Sequence, residues 1–530
     1  MRPIKRALAS GIIALSAIFG TAVLTQADDL REVNPVAAPA LTTPDAQAVQ
    51  MAQATPINRE ARNATVLIFN TGARVYNNAY VALDFDALSA RILSNFPAAN
   101  LTAAGVDPTV APANPQELFN TIERLVLTAE NNDYFALSDT VLQAFVGSLD
   151  AHSSYVTHDE AQAFRERTTG QFGGLGLQVQ KDELTGYVRI EGLMDGGAGG
   201  AAGVLQGDLI TSVGGRDTSA MPLDEAVNAM RGQLGTSVDI TIQREGEADL
   251  IALTVTRQIV RQSAVHATIL DGNIGYAAIS SFTELVSDDL TRAFTEMEAG
   301  ATAPSAYILD LRGNPGGLLT QAGEVADRFL TTGKIVAERD RDGETGSYTA
   351  RPDDIINGKP LIVLIDGGSA SASEIVSGAL QRFDRAVIIG TQSFGKGSVQ
   401  TIMPVERGML RLTTQLYYVG GDTPIQGYGV MPDIRVAFGI AAEMEALITR
   451  REAALDGVIA NPNAGQIGAD TAPNTCAPAS TAPDAFDSLG NRFRNPATGQ
   501  VDSAMLCAIE YLNGQATYTV INPTTAGPRP

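Results

Sequence analysis

LIVLIDGGSASASE, Leu361 to Glu374, is the stretch around which the rest of the chain can be organised. Five consecutive apolar residues, Leu361 to Ile365, suit a strand buried on both faces. Asp366, Gly367 and Gly368 then supply a tight turn. A helix can start at Ala372, with Ile375, Val376 and Leu380 as its apolar face. A turn between strand and helix projects from the sheet edge, where the first N–H groups of the helix point outward and favour negative charge. A nucleophile and part of an oxyanion hole can share such a turn, and Ser371 is placed to use it. The same residues also match an ordinary capping box, Ser371-x-x-Glu374, in which the serine serves only the helix end.

The partner that shifts this balance is SFGKGSVQ, Ser393 to Gln400. Gly395 and Gly397 bracket one lysine, Lys396, and let the backbone bend closely around it. A lysine acting as base must first lose its proton; from an ordinary pKa of about 10.4 that costs roughly 4–5 kcal/mol at pH 7. Burial among apolar groups removes most of this cost. Gln400, an even number of residues on, can reach back to hold the amine. The alternative is an exposed lysine in a glycine-rich turn.

A third segment, DLRGNPGG from Asp310 to Gly317, follows the apolar run Tyr307 to Leu311. Paired glycines after a strand let N–H groups approach a substrate carbonyl with no side chain between. Alone, it is also simply a turn. A histidine-based triad is disfavoured, because His152 and His158 fall in the N-terminal helical region and none of the three histidines, His266 included, is flanked by a motif. They read as surface or packing residues. The run Gly196 to Gly203 contains a GxGxxA pattern but leads to a turn and another strand, so it is not read as a dinucleotide loop.

Around these motifs the period of the apolar residues changes. Residues 1–27 pair Arg2, Lys5 and Arg6 with an apolar run from Ala7 to Leu24 and small residues before Asp28, which reads as a signal peptide or a membrane anchor. Residues 28–60 suit a flexible linker. Residues 61–168 are mainly helical: Leu118, Ile122, Leu125 and Val126, then Val141, Leu142, Phe145 and Val146, fall at helical spacing, and a loop is expected near 97–115. Strand-like alternation follows in 170–257, around a short helix from Leu223 to Arg231, giving a small partly open barrel. Residues 258–445 alternate strands and helices as an α/β domain. The C-terminal extension, 455–530, carries one amphipathic stretch, Val501 to Leu512.

Composition excludes several classes. The 530 residues carry 44% hydrophobic side chains, enough to bury real cores. A net charge of −22 with no basic stripe argues against nucleic acid. Cys476 and Cys507 are the two cysteines, and in an oxidising compartment they are expected to pair rather than bind metal. No zinc-ligand spacing appears among the histidines, and no cofactor is expected.

SASASE, SFGKGSVQ and DLRGNPGG together resemble the carboxyl-terminal processing peptidases, in that family's order and with its spacing between serine and lysine. The resemblance runs from about 115 to 440 and includes IQGYGVMPD, Ile425 to Asp433. It implies an α/β and α+β multidomain protein: a core similar to the crotonase and Clp-protease fold, an inserted PDZ domain and an N-terminal helical region. It further implies an exported, periplasmic serine endopeptidase that binds protein C-termini and cuts near them through a Ser–Lys dyad and an acyl-enzyme. Ser371 would be the nucleophile, Lys396 the general base and Gln400 its orienting residue. The N–H of Ala372 would form the oxyanion hole with that of Gly317, Gly316 being a close competitor. Residues 170–257 resemble the PDZ domain of such peptidases, with Gly174, Leu175, Gly176 and Leu177 as the carboxylate loop and Arg231 in a further family turn. The family's usual Pro-Ala before one turn is replaced here by the glycine-rich run. Leu175 and Leu177 would face the core of any such barrel. The expected partners are therefore polypeptide substrates, with a membrane tether at the N-terminus and pairing of copies through 115–168 or the tail left open. Two other readings remain: a PDZ adaptor with a vestigial site, and an amidase acting on small amides.

Overall fold

All five residues of Leu361–Ile365 are buried, as are all five of Ala306–Asp310, and these two parallel neighbours form the middle of a seven-stranded sheet. Strands buried on both faces carry no polar side, which is why both read as unbroken apolar runs. The computed structural model describes residues 58–194, 196–436, 451–463, 474–476 and 502–514. The expected signal or anchor and most of the linker lie outside these residues.

The sheet runs in the order Val265–Leu270, Ile274–Ile279, Ala306–Asp310, Leu361–Ile365, Val387–Gly390, Ile434–Val436 and Asn474–Cys476. The first two strands form an antiparallel hairpin and every later neighbour is parallel. One face is covered by the helices Val286–Glu298, Leu319–Asp327 and Ala372–Arg382, whose Phe294, Val325 and Val376 share one core cluster with Tyr307 and Val363. Phe294 stacks on Tyr307 with ring centroids 4.7 Å apart. Removing such a ring, as in Phe294→Ala, costs about 3–5 kcal/mol because the cavity does not fully collapse.

The opposite face is covered by the helix Ser503–Leu512, whose Ala504, Met505 and Ala508 are buried against Ile308, Ile362 and Leu364. Asn474–Cys476 adds the seventh strand, and Cys476 is disulfide-bonded to Cys507. Described parts of the C-terminal extension therefore belong to the seven-stranded sheet rather than lying apart from it. A three-residue strand leaves no periodicity to read in sequence.

A second sheet supports the first. Its long strand, Gly408–Val419, pairs with Ser154–Thr157, Lys334–Arg339 and Ser398–Val405. Helices Arg59–Asn78, Pro115–Val126 and Tyr134–Gly147 pack as a bundle on Leu410 and Leu412 of that strand. Asn114 and Asp133 cap the last two through the N–H groups of Glu117 and Ala136. The segment 97–115 is not all loop. Ala98–Ala104 is helical, started after Pro97 and ended by Gly105 at φ 62°.

Residues 177–256 form a separate sheet in the order Leu177–Lys181, Val188–Leu193, Leu209–Val213, Ser237–Gln243 and Ile251–Thr256, with a helix at Leu223–Met230. Its two chain connections pair with each other, Gln171–Gly174 against Gln258–Arg261, as an insertion requires. The glycine-rich run leads through a turn to the strand Leu209–Val213, as expected, and within the run Ala198–Ala201 makes one helical turn.

Candidate active site

Ser371 caps the helix Ala372–Arg382 with φ 57° and ψ −113°, a conformation that costs a non-glycine residue roughly 1–3 kcal/mol. The flanking serines hold it there. Ser369 Oγ donates to the Leu311 carbonyl at 2.8 Å, Ser373 Oγ donates to the Asn314 carbonyl at 2.9 Å, and the Ala370 N–H reaches the same Asn314 oxygen at 3.0 Å. Two of the three serines thus staple the turn to the segment 311–314. The Ser371 side chain instead belongs to the capping box of its own helix and lines the same cavity as Tyr417, whose hydroxyl donates to the Lys396 carbonyl.

The capping reading and the chemical reading of Ser371-x-x-Glu374 coincide. Glu374 is fully buried, and its Oε2 accepts the N–H of Ser371 at 2.7 Å and that of Lys396 at 2.9 Å. Its Oε1 accepts Ser393 Oγ at 2.5 Å and the Gly395 N–H at 2.6 Å. Burial pushes the Glu374 carboxyl up to about 7, against these four donors. One carboxylate therefore fixes the serine turn and the lysine turn relative to each other. Gly397 packs against the turn that follows Ile425: a Cβ there would stand 2.6 Å from the Gln426 nitrogen, so only glycine fits.

Burial likewise pushes the Lys396 amine down to about 8, helped by the charge of Arg411 and opposed by Glu452, Glu374 and Asp150. Glu452 is fully buried; it bonds His152 Nε2 at 2.7 Å, and its N–H donates to the Phe394 carbonyl at 3.1 Å. His152 is thus not merely a surface or packing residue. Its partner carboxylate comes from the segment 451–463, which folds back beneath the lysine turn.

Gly316 and Gly317 differ in what their N–H groups do. The Gly316 N–H donates to Asn314 Oδ1 at 2.9 Å, and a Cβ at Gly316, where φ is 100°, would stand 2.7 Å from the Ser371 Cβ. Gly317 makes a parallel bridge with Phe282 in which Phe282 N–H bonds the Gly316 carbonyl and Leu318 N–H bonds the Phe282 carbonyl. That pattern turns the N–H of Gly317 itself away from Phe282. Among the described residues neither the Gly317 nor the Ala372 N–H has an acceptor.

Ser371, Lys396, Gln400, Gly317, Tyr417 and Arg231 all line one cavity of about 1140 Å³. Gln400 donates its amide N–H groups to Ser398 Oγ at 2.9 Å and Thr413 Oγ1 at 3.2 Å, which leaves its Oε1 as the atom able to accept from an amine. Arg231 sits with its guanidinium 4.1 Å from the Phe172 ring centroid, and its Nε is buried with no partner among the described residues. Gly174, Leu175, Gly176 and Leu177 are not walls of this cavity. Leu175 is buried in the core of the inserted sheet, its carbonyl accepting the Gly199 N–H, while Leu177 starts the edge strand of that sheet.

Two family models match: Peptidase family S41 over residues 273–436 and the PDZ domain over 156–243. A carboxy-terminal-processing protease of Bartonella bacilliformis is 45% identical over 304 residues, which is 57% of this chain and 69% of that protein. The chain belongs to the carboxy-terminal-processing proteases. The similar carboxy-terminal processing protease CtpA of Bacillus subtilis is 32% identical over 309 residues, covering 58% of this chain and 65% of that protein. A solved photosystem II D1 C-terminal processing protease is 23% identical with a TM-score of 0.40, covering 75% of this chain and 98% of that one. The chain spans about two thirds of the length of the curated relatives quoted. This protein is thus a serine-type peptidase with an inserted PDZ domain.

Several residues of the protease's cavity region escaped sequence reasoning. Glu374 was legible only as a cap, and Asn314 only as a turn residue. Tyr417 and Arg411 sit in the long strand Gly408–Val419, where nothing in the local sequence marks chemistry. Glu452 lies beyond the S41 match, which ends at residue 436, and nothing in its local sequence marks it.

Proposed function

We propose that Ser371 attacks the scissile carbonyl with neutral Lys396 as general base, forming an acyl-enzyme that water then hydrolyses. The observation that carries this is the convergence of both residues' turns on Glu374 beside one cavity, with the Lys396 amine pushed down to about 8. As the bond breaks, Lys396 returns its proton to the leaving amine, and takes another from the water of the second half-reaction. The N–H groups of Ala372 and Gly317 receive the developing oxyanion; Gly316 is the weaker choice because its N–H is held by Asn314. Gln400 steadies the amine through its Oε1.

The PDZ domain holds a protein C-terminus while the peptidase domain cuts upstream. The free edge of Leu177–Lys181 supports this reading, since an extended chain can add there as a strand while N–H groups of the 174–177 turn take its carboxylate. We place the protein in the periplasm, exported by residues 1–27; a disulfide suits such an oxidising compartment. Incubation with an unstructured polypeptide tests the whole reading. The intact protease should cut it, and Ser371→Ala and Lys396→Ala should each lose more than about a thousandfold in rate. Equal cleavage by all three would remove the assignment.

A further inference from the structure

The charge of the cavity is opposite to that of the protein. The chain carries −22, yet Arg167, Arg231, Lys396 and Arg411 line the cavity and Glu166 is its one acidic wall. Among the described residues Arg167, Arg231 and Arg411 make no ion pair. Asp150, Glu374 and Glu452 offset part of this charge from outside the cavity lining, and an incoming anion relieves the remaining repulsion among the cations.

Two of them are placed together and aimed. Arg411 donates Nε and Nη2 to the His152 carbonyl at 3.2 and 3.1 Å, which fixes the plane of its guanidinium. Its Nη1 has no acceptor among the described residues, so further N–H donors of the fork stay open. Arg167 is exposed in the last turn of the helix His158–Thr169, which packs against the strand bearing Arg411. Burial, and the like charge of Arg167, pull the Arg411 guanidinium below its ordinary value while Asp150 opposes them.

The position is also informative. Ser398, Val399, Gln400 and Ile402 line the cavity along one strand, and Arg411 stands directly opposite Ile402 in the neighbouring strand. The cavity therefore runs outward from the lysine turn along this strand. Four residues at about 3.3 Å each put the backbone of Arg411 roughly 13 Å along from Ser398. An extended substrate covers that distance with about four residues.

We propose that Arg411 and Arg167 form a subsite for a carboxylate side chain of the polypeptide being cut, so that the protease selects segments with Asp or Glu within a few residues of the scissile bond. This rests on the cavity being the cleavage site. A fixed guanidinium suits a planar carboxylate, and the exposed Arg167 supplies a second cation on the adjoining helix.

The test uses peptides carrying a single Glu or Gln walked along the sequence on either side of the cut position. Their binding to the full-length Ser371→Ala protein is followed by fluorescence anisotropy, and their cleavage by the intact protease is followed as kcat/KM. At one register the Glu peptide should bind about tenfold more tightly than its Gln twin. Arg167→Gln, which alters an exposed side chain that makes no hydrogen bond or ion pair among the described residues, should erase most of that ratio, as should Arg411→Gln. Equal binding of Glu and Gln peptides at every register overturns the subsite. If the intact protease cuts all peptides alike, the subsite falls while the cleavage reading stands. If it cuts none although Ser371→Ala still prefers Glu, the cleavage reading falls and the anion subsite stands.

Discussion

The backbone N–H groups of Ser371 and Lys396 donate to the same oxygen, Oε2 of Glu374, at 2.7 and 2.9 Å. Residues separated by a helix and a strand are thereby locked at one point, and the lock is a charge acceptor inside a dry core. It also holds Ser371 in its strained conformation.

Removing the lock should be costly in two ways. Glu374→Ala leaves four buried donors without an acceptor, and breaking such a buried charged network costs about 3–5 kcal/mol. Urea denaturation should show this loss. Peptidase kcat should fall at least about a hundredfold, with Glu374→Gln in between, because its amide can still accept but also brings N–H groups toward donors.

Cleavage should rise with pH. On the proposed mechanism Lys396 acts as base only when neutral, and with its amine pushed down to about 8 only roughly a tenth is neutral at pH 7. The rate should therefore climb about tenfold between pH 7 and a plateau above about 9. Arg411 favours the neutral amine and Glu452 the charged one, so the two substitutions move the rise in opposite directions. Arg411→Gln should shift it to higher pH and Glu452→Gln to lower pH. A loss of folding alone would lower the plateau without moving the midpoint.

Gly316→Ala should inactivate while leaving the fold. Its Cβ would stand 2.7 Å from the Ser371 Cβ and 3.0 Å from the Ala372 nitrogen, in a turn where φ is 100°. The strain costs about 1–3 kcal/mol of stability, but the displacement falls on the proposed nucleophile and the proposed oxyanion donor together. A drop in kcat beyond about a hundredfold is expected, with KM little changed.

Opening the disulfide should loosen the catalytic sheet from behind. Cys476 and Cys507 are 31 residues apart, for which chain entropy gives about 3–4 kcal/mol. The helix it holds covers Ile308 and Leu364, and Asp502 at its cap bonds Arg312 in the segment leading to Gly317. Reductant should lower the melting temperature, and activity near that temperature should fall with it.

The sequence disclosed the core strands because their burial on both faces writes an unbroken apolar run, as in Leu361–Ile365. It marked Ser371, Lys396 and Gly317, which line one cavity, as candidates because glycines and serines at turns constrain what the backbone can do. It could not disclose the links between those turns. Glu374 is a cap by local pattern, and only tertiary structure brings Ser393, Gly395 and Lys396 to its carboxylate. Glu452 and Asp502 reach the site region from beyond residue 450, across segments whose composition has no period. The short helix Ala98–Ala104 was hidden by the prolines and asparagines around it, although its alanines favour a helix.

The central claim is that a neutral Lys396 activates Ser371, and covalent labelling of Ser371 by a serine-directed electrophile measures that activation without needing a substrate. The labelling rate should rise with pH to a plateau, with its midpoint near 8, and Lys396→Ala should abolish the rise. A rate that is flat between about pH 6 and 10, or one that Lys396→Ala leaves unchanged, would contradict the account.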